Sequence, residues 1–138
     1  MSISRCRLIE LPTLQDSRGA LTILEAEKHG LFEIKRAYYL YEVPEGQGRG
    51  AHAHHAFEQL FIAISGSFEI SMDDGRERQT TLLSSPRQGL FMPPMVWHEL
   101  RRFSSGAVCL VLASAPYAEA DYIRDYEQFL VAAGSRGR

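Results

Sequence analysis

Residues 59–75, QLFIAISGSFEISMDDG, decide the class of fold. They form a strand-rich region that is interrupted at Gly66 and ends in Asp73-Asp74-Gly75, where the glycine can adopt the positive φ that hairpin turns require. On both sides of this stretch, short apolar segments recur between turn signals, at residues 21–24, 34–43, 89–92 and 107–113. Short strands separated by turns predict an all-β sandwich or barrel.

The end of the chain has a different period. Apolar residues recur there at three- and four-residue spacings, which predicts one short helix with a single apolar face: Tyr122, Ile123, Tyr126, Phe129 and Leu130. Asp125 and Gln128 resemble a capping box, Gly134 is a stop signal, and residues 135–138 are expected to be disordered. We therefore predict one all-β domain over residues 1–138 with a short C-terminal helix.

Length and composition narrow the class of protein. The 138 residues suffice for one domain with a buried core but not for two. A net charge of −2 argues against a nucleic-acid partner, which needs a basic surface to neutralise phosphates. The chain shows no signal peptide and no apolar run as long as a membrane span, and its two cysteines, Cys6 and Cys109, lack a metal-ligand spacing. We therefore expect a cytoplasmic protein with no membrane partner.

The densest polar cluster is residues 46–55, GQGRGAHAHH. In a strand, His52 and His54 project to the same face because side chains alternate with a period of two. Two neighbouring imidazoles on one face suggest a shared ligand, metal or proton-transfer task. His55 points to the opposite face, where a solvated surface residue is expected.

These histidines resemble the first motif of the cupin superfamily, in which a glycine, His-x-His, a glutamate and a second glycine stand at fixed spacings. Here only Gln59 has the correct spacing to Gly66, so glutamine occupies the position of the metal-binding glutamate. In the degenerate second motif, residues 93–98 (PPMVWH), His98 keeps the position of the third metal histidine. Three histidines could hold a divalent ion such as zinc, but the carboxylate is missing, so we expect no metal. The alternative for His98 is a hydrogen-bonded core histidine.

A closer resemblance covers nearly the whole chain. A series of strings, in order, is similar to the nucleotide-sugar 3,4-ketoisomerases, the WxcM-like cupins: DSRG (16–19), KRAYY (35–39), RGAHAH (49–54), EQ (58–59), GS (66–67), DDG (73–75), VWHE (96–99) and DYIR (121–124). This resemblance implies a cupin jelly-roll barrel and a homodimer that exchanges N-terminal strands. It also implies catalysis without a metal or other cofactor.

The resemblance further implies the reaction: the keto group of dTDP-4-keto-6-deoxy-D-glucose moves from carbon 4 to carbon 3. This isomerisation removes the acidic proton on carbon 3, forms an enediol and returns a proton to carbon 4, a task that suits histidine. By resemblance His52 is the base, while His54 carries a second proton transfer or stabilises the oxyanion. Arg18-Gly19 resembles the branch of the family that yields the 3-keto-6-deoxygalactose product.

The other candidate site residues are expected to bind substrate. Arg36 and Tyr38 share one strand face, and Tyr38 can offer a phenolic hydrogen bond to the sugar; Tyr39 and Tyr41 share the opposite face. Further substrate contacts are expected from four side chains: Arg49, Arg18, Gln59 and His98. The arginines suit a diphosphate because their planar fork matches phosphate oxygens, although Arg18 is equally consistent with a solvated turn residue.

Three other functions remain open from the sequence. A 3,5-epimerase of the same nucleotide-sugar pairs its catalytic histidine with an aspartate, and no clear aspartate partner is visible here. A non-catalytic sugar-binding cupin would bind the nucleotide-sugar without proton exchange. A metal-dependent cupin oxygenase or isomerase would need the three histidines as ligands.

Overall fold

The computed structural model of the chain describes residues 3–25 and 31–136. Within them lie twelve β-strands: β1 Arg7–Glu10, β2 Thr13–Asp16, β3 Gly19–Thr22, β4 Arg36–Tyr41, β5 Arg49–His54, β6 Gln59–Ser65, β7 Phe68–Asp73, β8 Arg78–Leu83, β9 Gln88–Met92, β10 Trp97–Arg101, β11 Val108–Ala113 and β12 Tyr122–Ile123. Two short 3-10 helices, Ile3–Arg5 and Glu119–Asp121, and one helix, α1 (Tyr126–Arg136), complete the described elements. The predicted all-β fold with a C-terminal helix is confirmed.

The strands form two five-stranded antiparallel sheets and a separate hairpin. One sheet has the order β1-β9-β6-β11-β4, the other the order β12-β5-β10-β7-β8, and β2 pairs with β3. Apart from the β7–β8 pair, consecutive strands from β4 to β12 therefore alternate between the two sheets, which is the arrangement of a jelly roll. The predicted jelly-roll barrel is confirmed.

The main core lies between the sheets. On β7, Phe68, Ile70 and Met72 point inward and are buried, while the residues between them, Glu69 and Ser71, are partly exposed. This alternation is the consequence of the two-residue period of a strand. Each fully buried apolar side chain of this size stabilises the fold by roughly 1.5–3 kcal/mol.

The predicted hairpin turn joins β7 to β8. Gly75 has a φ of 94°, and its N–H donates to the Asp73 carboxylate at 2.7 Å. The Asp74 carboxylate accepts the N–H groups of Arg76 and Glu77, and also that of Ile3 at 3.1 Å. Asp74 therefore fixes the turn and attaches the N-terminal segment to it.

The C-terminal helix differs from its prediction at both ends. Tyr122 and Ile123 form β12, paired with β5, so the helix begins at Tyr126; pairing with a neighbouring strand overrides the apparent helical spacing. Asp125 caps the helix as predicted, since its carboxylate accepts the Gln128 N–H at 3.0 Å. Gly134 does not stop α1, which continues to Arg136, and residues 137–138 lie outside the described part. No helix in residues 3–25 and 31–136 is long and apolar enough to cross a membrane.

Candidate active site

Three histidines meet on the inner face of the second sheet and form what we call the histidine cluster: His52, His54 and His98. The ring centroids of His52 and His54 are 4.9 Å apart, as their shared strand face predicts. His98, on β10, is the register partner of His52, and their ring centroids are 4.8 Å apart. His55, the next residue, is exposed, as expected.

A β-bulge in β5 brings Arg49 to the side of the histidine cluster. Strict alternation from His52 would turn Arg49 to the opposite face. However, His98 pairs with His52 while Leu100 pairs with Arg49, so β5 contains one extra residue between these pairs. Gly50, with a φ of 72°, supplies the left-handed conformation that such bulges favour. Because paired residues share a face and Leu100 is buried, Arg49 lies on the cavity side of β5, where its side chain remains exposed at the cavity's edge.

The histidine cluster borders a cavity of about 500 Å³, within the size range of small-molecule sites. Its polar lining comes from strands of both sheets and from the residue after β12: Arg36, Tyr38, Arg49, His52, His98, Tyr122 and Arg124. Among the described residues, the lining contains three arginines and no acidic side chain. The cavity therefore favours an anionic ligand.

Arg36 is held in the cavity wall by aromatic rings. Its guanidinium carbon lies 5.1 Å from the ring centroid of Tyr38, 5.5 Å from that of Phe57 and 5.7 Å from that of Tyr117. Stacking of this kind stabilises a cation without consuming its hydrogen-bond donors. Within the described residues, Nε and one terminal nitrogen of Arg36 are buried without a hydrogen-bond partner, so both are available to a ligand.

Gln59 lies behind Tyr38. It is fully buried, and its amide nitrogen donates a hydrogen bond to the Tyr38 hydroxyl oxygen at 3.0 Å. Because that oxygen accepts from Gln59, the phenolic O–H is directed elsewhere and can donate to a ligand. Burial, and secondarily the nearby Tyr122, raises the pKa of Tyr38 to about 12, so the hydroxyl keeps its proton. Gln59 was expected to contact the substrate, but the structure places it outside the cavity lining, where it positions Tyr38.

The histidine cluster is uncharged at neutral pH. Burial, followed by the proximity of His98, lowers the pKa of His52 to about 3 and that of His54 to about 2. Burial also lowers the pKa of His98 to about 4. Nδ1 of His98 lies 3.1 Å from the Val96 carbonyl oxygen, which can only accept, so this nitrogen carries the proton and Nε2 is an acceptor. Neutral imidazoles are the form that can take up a proton.

His54 has an aspartate neighbour that the sequence did not reveal. Oδ2 of Asp121 is 3.4 Å from Nδ1 of His54, a distance at which the carboxylate would stabilise a proton on the imidazole. The same carboxylate accepts the N–H groups of Ala56 and Phe57 at 2.9 and 3.2 Å and fixes the bend after β5. The sequence showed no clear aspartate partner for the histidines, and the structure places Asp121 beside His54. His54 is only 3% exposed and does not line the cavity, so it lies behind His52.

Two further cavity residues, Tyr122 and Arg124, were not predicted as site residues. Tyr122 pairs with His54 in the β12–β5 register, and its ring centroid is 4.5 Å from that of His54 and 5.0 Å from that of His52. The guanidinium carbon of Arg124 lies 4.3 Å from the centroid of the Tyr122 ring. The string DYIR (121–124), which belongs to the family resemblance, contains both residues. Because the apolar spacing assigned Tyr122 to a helix, the sequence did not place the two side chains in the cavity.

Arg18 is not brought to the cavity within this chain. It lies at the turn between β2 and β3, its side chain is 88% exposed, and it forms an ion pair with Asp16 at 2.6 Å. This arrangement matches the alternative of a solvated turn residue. Tyr39 and Tyr41 are exposed on the outer face of β4, opposite Arg36 and Tyr38, as predicted.

The histidine cluster could supply ligands to a metal ion, because one ring nitrogen from each residue lies within 4.8 Å of the others. The glutamate of metal-binding cupins is replaced by Gln59, whose amide oxygen, the atom that would bind a metal, carries no negative charge. An uncharged amide is a poor substitute for a carboxylate ligand. We therefore assign no catalytic step to a metal.

A jelly roll with an inward-facing histidine cluster defines a cupin, and the arginine-rich cavity suits a phosphorylated ligand. The family model "FdtA: WxcM-like, C-terminal" matches residues 4–134, and the chain belongs to this family. It is 43% identical over 123 residues to the TDP-4-oxo-6-deoxy-alpha-D-glucose-3,4-oxoisomerase of Aneurinibacillus thermoaerophilus, a match covering 89% of this chain and 88% of that protein.

Solved structures agree with this assignment. A His-to-Asn variant of the 3,4-ketoisomerase QdtA from Thermoanaerobacterium thermosaccharolyticum, in complex with TDP-4-keto-6-deoxyglucose, has a TM-score of 0.92, 37% identity and coverage of 95% of each chain. A 3,4-ketoisomerase from Helicobacter canadensis has a TM-score of 0.91 and 44% identity, covering 94% of this chain and 98% of that one. The chain is a sugar-nucleotide 3,4-ketoisomerase, an enzyme of deoxysugar biosynthesis.

Proposed function

We propose that the enzyme converts dTDP-4-keto-6-deoxy-D-glucose into dTDP-3-keto-6-deoxy-D-galactose through an enediol, with His52 as the base. One observation carries the proposal. In the described part of the chain, every buried side-chain nitrogen or oxygen without a hydrogen-bond partner belongs to Arg36, Gln59 or the histidines of β5. The two Arg36 nitrogens and Nε2 of His52 belong to residues that line the cavity. Because buried polar atoms are normally paired, these three support a polar ligand there, as a keto sugar would be.

In the first half of the reaction, His52 takes the proton from carbon 3 while Tyr38 donates its phenolic proton to the keto oxygen on carbon 4. The product of this step is the enediol, with His52 protonated and Tyr38 ionised. Arg36, which is within 5.1 Å of the Tyr38 ring centroid, supplies positive charge to the oxygens on which negative charge develops. The hydrogen bond from Gln59 also stabilises the transient phenolate.

In the second half, protonated His52 exchanges its proton with solvent and delivers a proton to carbon 4, and Tyr38 recovers a proton from the hydroxyl on carbon 3. The carbonyl is then on carbon 3, and both side chains have regained their starting protonation states. His54 lies behind His52 and beside Asp121. It assists the proton transfer to carbon 4 or stabilises the negative charge that develops on the sugar oxygens. His98 contributes an acceptor nitrogen to the cavity, where it can contact a sugar hydroxyl.

Arg49 is the group we assign to the diphosphate. The bulge at Gly50 directs it inward three residues before His52, so a diphosphate on Arg49 would place the attached sugar beside the base. The family resemblance and the curated relative, which is named for TDP-4-oxo-6-deoxy-alpha-D-glucose, support the choice of substrate. The galacto configuration rests on the resemblance of Arg18-Gly19 to one branch of the family.

The direct test is incubation of the protein with dTDP-4-keto-6-deoxyglucose, followed by NMR of the product. We expect the carbonyl on carbon 3, and reduction before decomposition should trap the galacto configuration. A product with the carbonyl still on carbon 4 and inverted neighbouring centres would identify a 3,5-epimerase. Binding without exchange of any sugar proton would identify a non-catalytic module, and a gluco product would contradict the stereochemical part.

A further inference from the structure

The carboxylate of Asp121 is held in a fixed position beside His54. Its Oδ1 accepts the N–H of Ala56 at 2.9 Å, and its Oδ2 accepts the N–H of Phe57 at 3.2 Å, so both oxygens are kept in place. Oδ2 also lies 3.4 Å from Nδ1 of His54, and the Asp121 side chain is only 11% exposed. A charged acceptor therefore faces one particular nitrogen of the ring.

The ring of His54 is fixed by its own neighbours. It stacks on the Phe57 ring, with centroids 5.0 Å apart and an angle of 25° between the planes. The Tyr122 ring meets it edge-on, with centroids 4.5 Å apart, and the Met95 N–H donates to the His54 carbonyl oxygen at 2.8 Å. Close packing on both sides keeps Nδ1 directed toward Asp121.

The contact with Asp121 decides which nitrogen of His54 carries the proton. Both ring nitrogens are buried, and neither has a hydrogen-bond partner in the described part of the chain. A carboxylate oxygen can only accept, so the nitrogen beside it is stable in the protonated N–H form. Because the imidazole is neutral and holds one such proton, Nε2 of His54 is left as an acceptor.

His98 is fixed in the same tautomer by a backbone carbonyl. Its Nδ1 lies 3.1 Å from the Val96 carbonyl oxygen, so its Nε2 is also an acceptor. The His52 ring adjoins both rings, with centroids 4.9 Å from that of His54 and 4.8 Å from that of His98, and its Nε2 is buried on this side without a partner. Two acceptor nitrogens attract an N–H and repel a lone pair, so they favour the proton of His52 on Nε2.

We propose that Asp121 is a positioning residue for the isomerisation, which acts through His54 to keep the proton of His52 on Nε2 and its lone pair on Nδ1. This inference rests on the proposed function, since it assumes that His52 is the base. Carbon 3 then gives its proton to Nδ1, and the imidazolium that forms carries a proton on each nitrogen. Nδ1 delivers a proton to carbon 4, which returns the ring to its starting tautomer.

The first test is nitrogen-15 NMR of the histidine-labelled free enzyme at neutral pH, where long-range proton–nitrogen correlations distinguish the two tautomers. In the wild type, His54 should carry its proton on Nδ1 and His52 on Nε2. In Asp121→Asn, the side-chain amide can donate to Nδ1 of His54. The proton of His54 should therefore move to Nε2, and that of His52 should move toward Nδ1.

The second test is turnover. Asp121→Asn should lower kcat about ten- to hundredfold, less than the roughly 10⁴-fold loss that follows when the removed carboxylate contacts the base itself. KM and TDP affinity should not change, because Asp121 does not line the cavity. Adding Asp121→Asn to His54→Asn should cause no further loss of kcat, since the carboxylate acts through that ring.

Asp73 provides a matched control away from the histidines. Its side chain is likewise 11% exposed, and it also accepts a backbone N–H at a bend after a strand, that of Gly75 at 2.7 Å. Asp73→Asn and Asp121→Asn should therefore both lower the melting temperature, but Asp73→Asn should keep the wild-type kcat and tautomers. If Asp121→Asn lowers kcat while the tautomers stay unchanged, its role is structural and the inference is wrong.

Two other results would also overturn it. A proton on Nε2 of His54 in the wild type would show that Asp121 does not set the tautomer. A further loss of kcat when Asp121→Asn is added to His54→Asn would show that Asp121 does not act through that ring. Failure of the wild type to isomerise the substrate would instead remove the proposed function, whereas the tautomers are measured without substrate, so the two failures are distinguishable.

Discussion

Replacing His52 with asparagine should stop the removal of the carbon 3 proton, whereas replacing His54 should not. His52 lines the cavity, while His54 is almost fully buried behind it. The ring centroids are only 4.9 Å apart, so proximity alone does not distinguish them. Asparagine is close to histidine in size and keeps hydrogen-bonding capacity, but it cannot act as a base.

The expected loss of rate follows from the role of His52, and the expected pH profile follows from its burial. Loss of a general base typically costs about two to four powers of ten in rate. Burial, then His98, lowers the pKa of His52 to about 3, so the free wild-type enzyme keeps this base in its neutral form at pH 5. An ordinary histidine with a pKa of about 6.5 would be only about 3% neutral at pH 5. Between pH 5 and 8, kcat/KM should therefore show no acid limb from His52.

The assay is proton exchange in deuterated water, followed by NMR of the sugar. The wild type should incorporate deuterium at carbon 4 of the product, and His52→Asn should neither incorporate it nor exchange the substrate's carbon 3 proton. His54→Asn should turn over more slowly but still exchange that proton. His55→Asn is the control, because His55 is the exposed residue next in the chain.

The opposite pattern would refute the assignment of the base. If His52→Asn exchanges the carbon 3 proton at the wild-type rate and His54→Asn does not, then His54 is the base. Asp121, at 3.4 Å from His54, would then be the group that supports it. An acid limb of kcat/KM near pH 6.5 would separately contradict the lowered pKa of His52.

Four further outcomes are expected. Turnover should survive treatment with a chelator because Gln59 gives the histidine cluster no charged fourth ligand. If the chelator abolishes turnover and zinc, manganese or iron restores it, the enzyme depends on a metal. Tyr38→Phe should lower kcat by about two powers of ten or more while leaving TDP affinity unchanged. Burial lowers the pKa of His98 to about 4, so the folded state holds this ring neutral. Its contribution to the free energy of unfolding is therefore fully present above its ordinary pKa of about 6.5 and is lost as the pH falls toward 4. In urea unfolding, His98→Asn should reduce the slope of stability with pH by about 1.4 kcal/mol per pH unit over that range. Light scattering at micromolar concentration should give the mass of a homodimer. Removing residues 1–12 should reduce the fraction of dimer and the free energy of unfolding. A full-length chain with the mass of a monomer would contradict this.

Local rules were enough for much of the fold and part of the site. Turn chemistry at Asp73-Asp74-Gly75 and the two-residue period of strands predicted the hairpin, the buried strands and the shared face of His52 and His54. The same period placed Arg36 and Tyr38 on one face of β4. These features depend on residues that are neighbours in the sequence, so the sequence by itself determined them.

The rest of the site depends on strand pairing between distant segments, which no local pattern encodes. Alternation from His52 points Arg49 the wrong way, and only the bulge opposite β10 turns it inward. Arg124 enters the cavity because β12 pairs with β5, a strand about seventy residues earlier, in place of the helix that the local spacing indicates. Gln59 on β6 meets Tyr38 on β4 across the intervening strand β11, so its role as a support for that hydroxyl became visible only once the sheet was assembled.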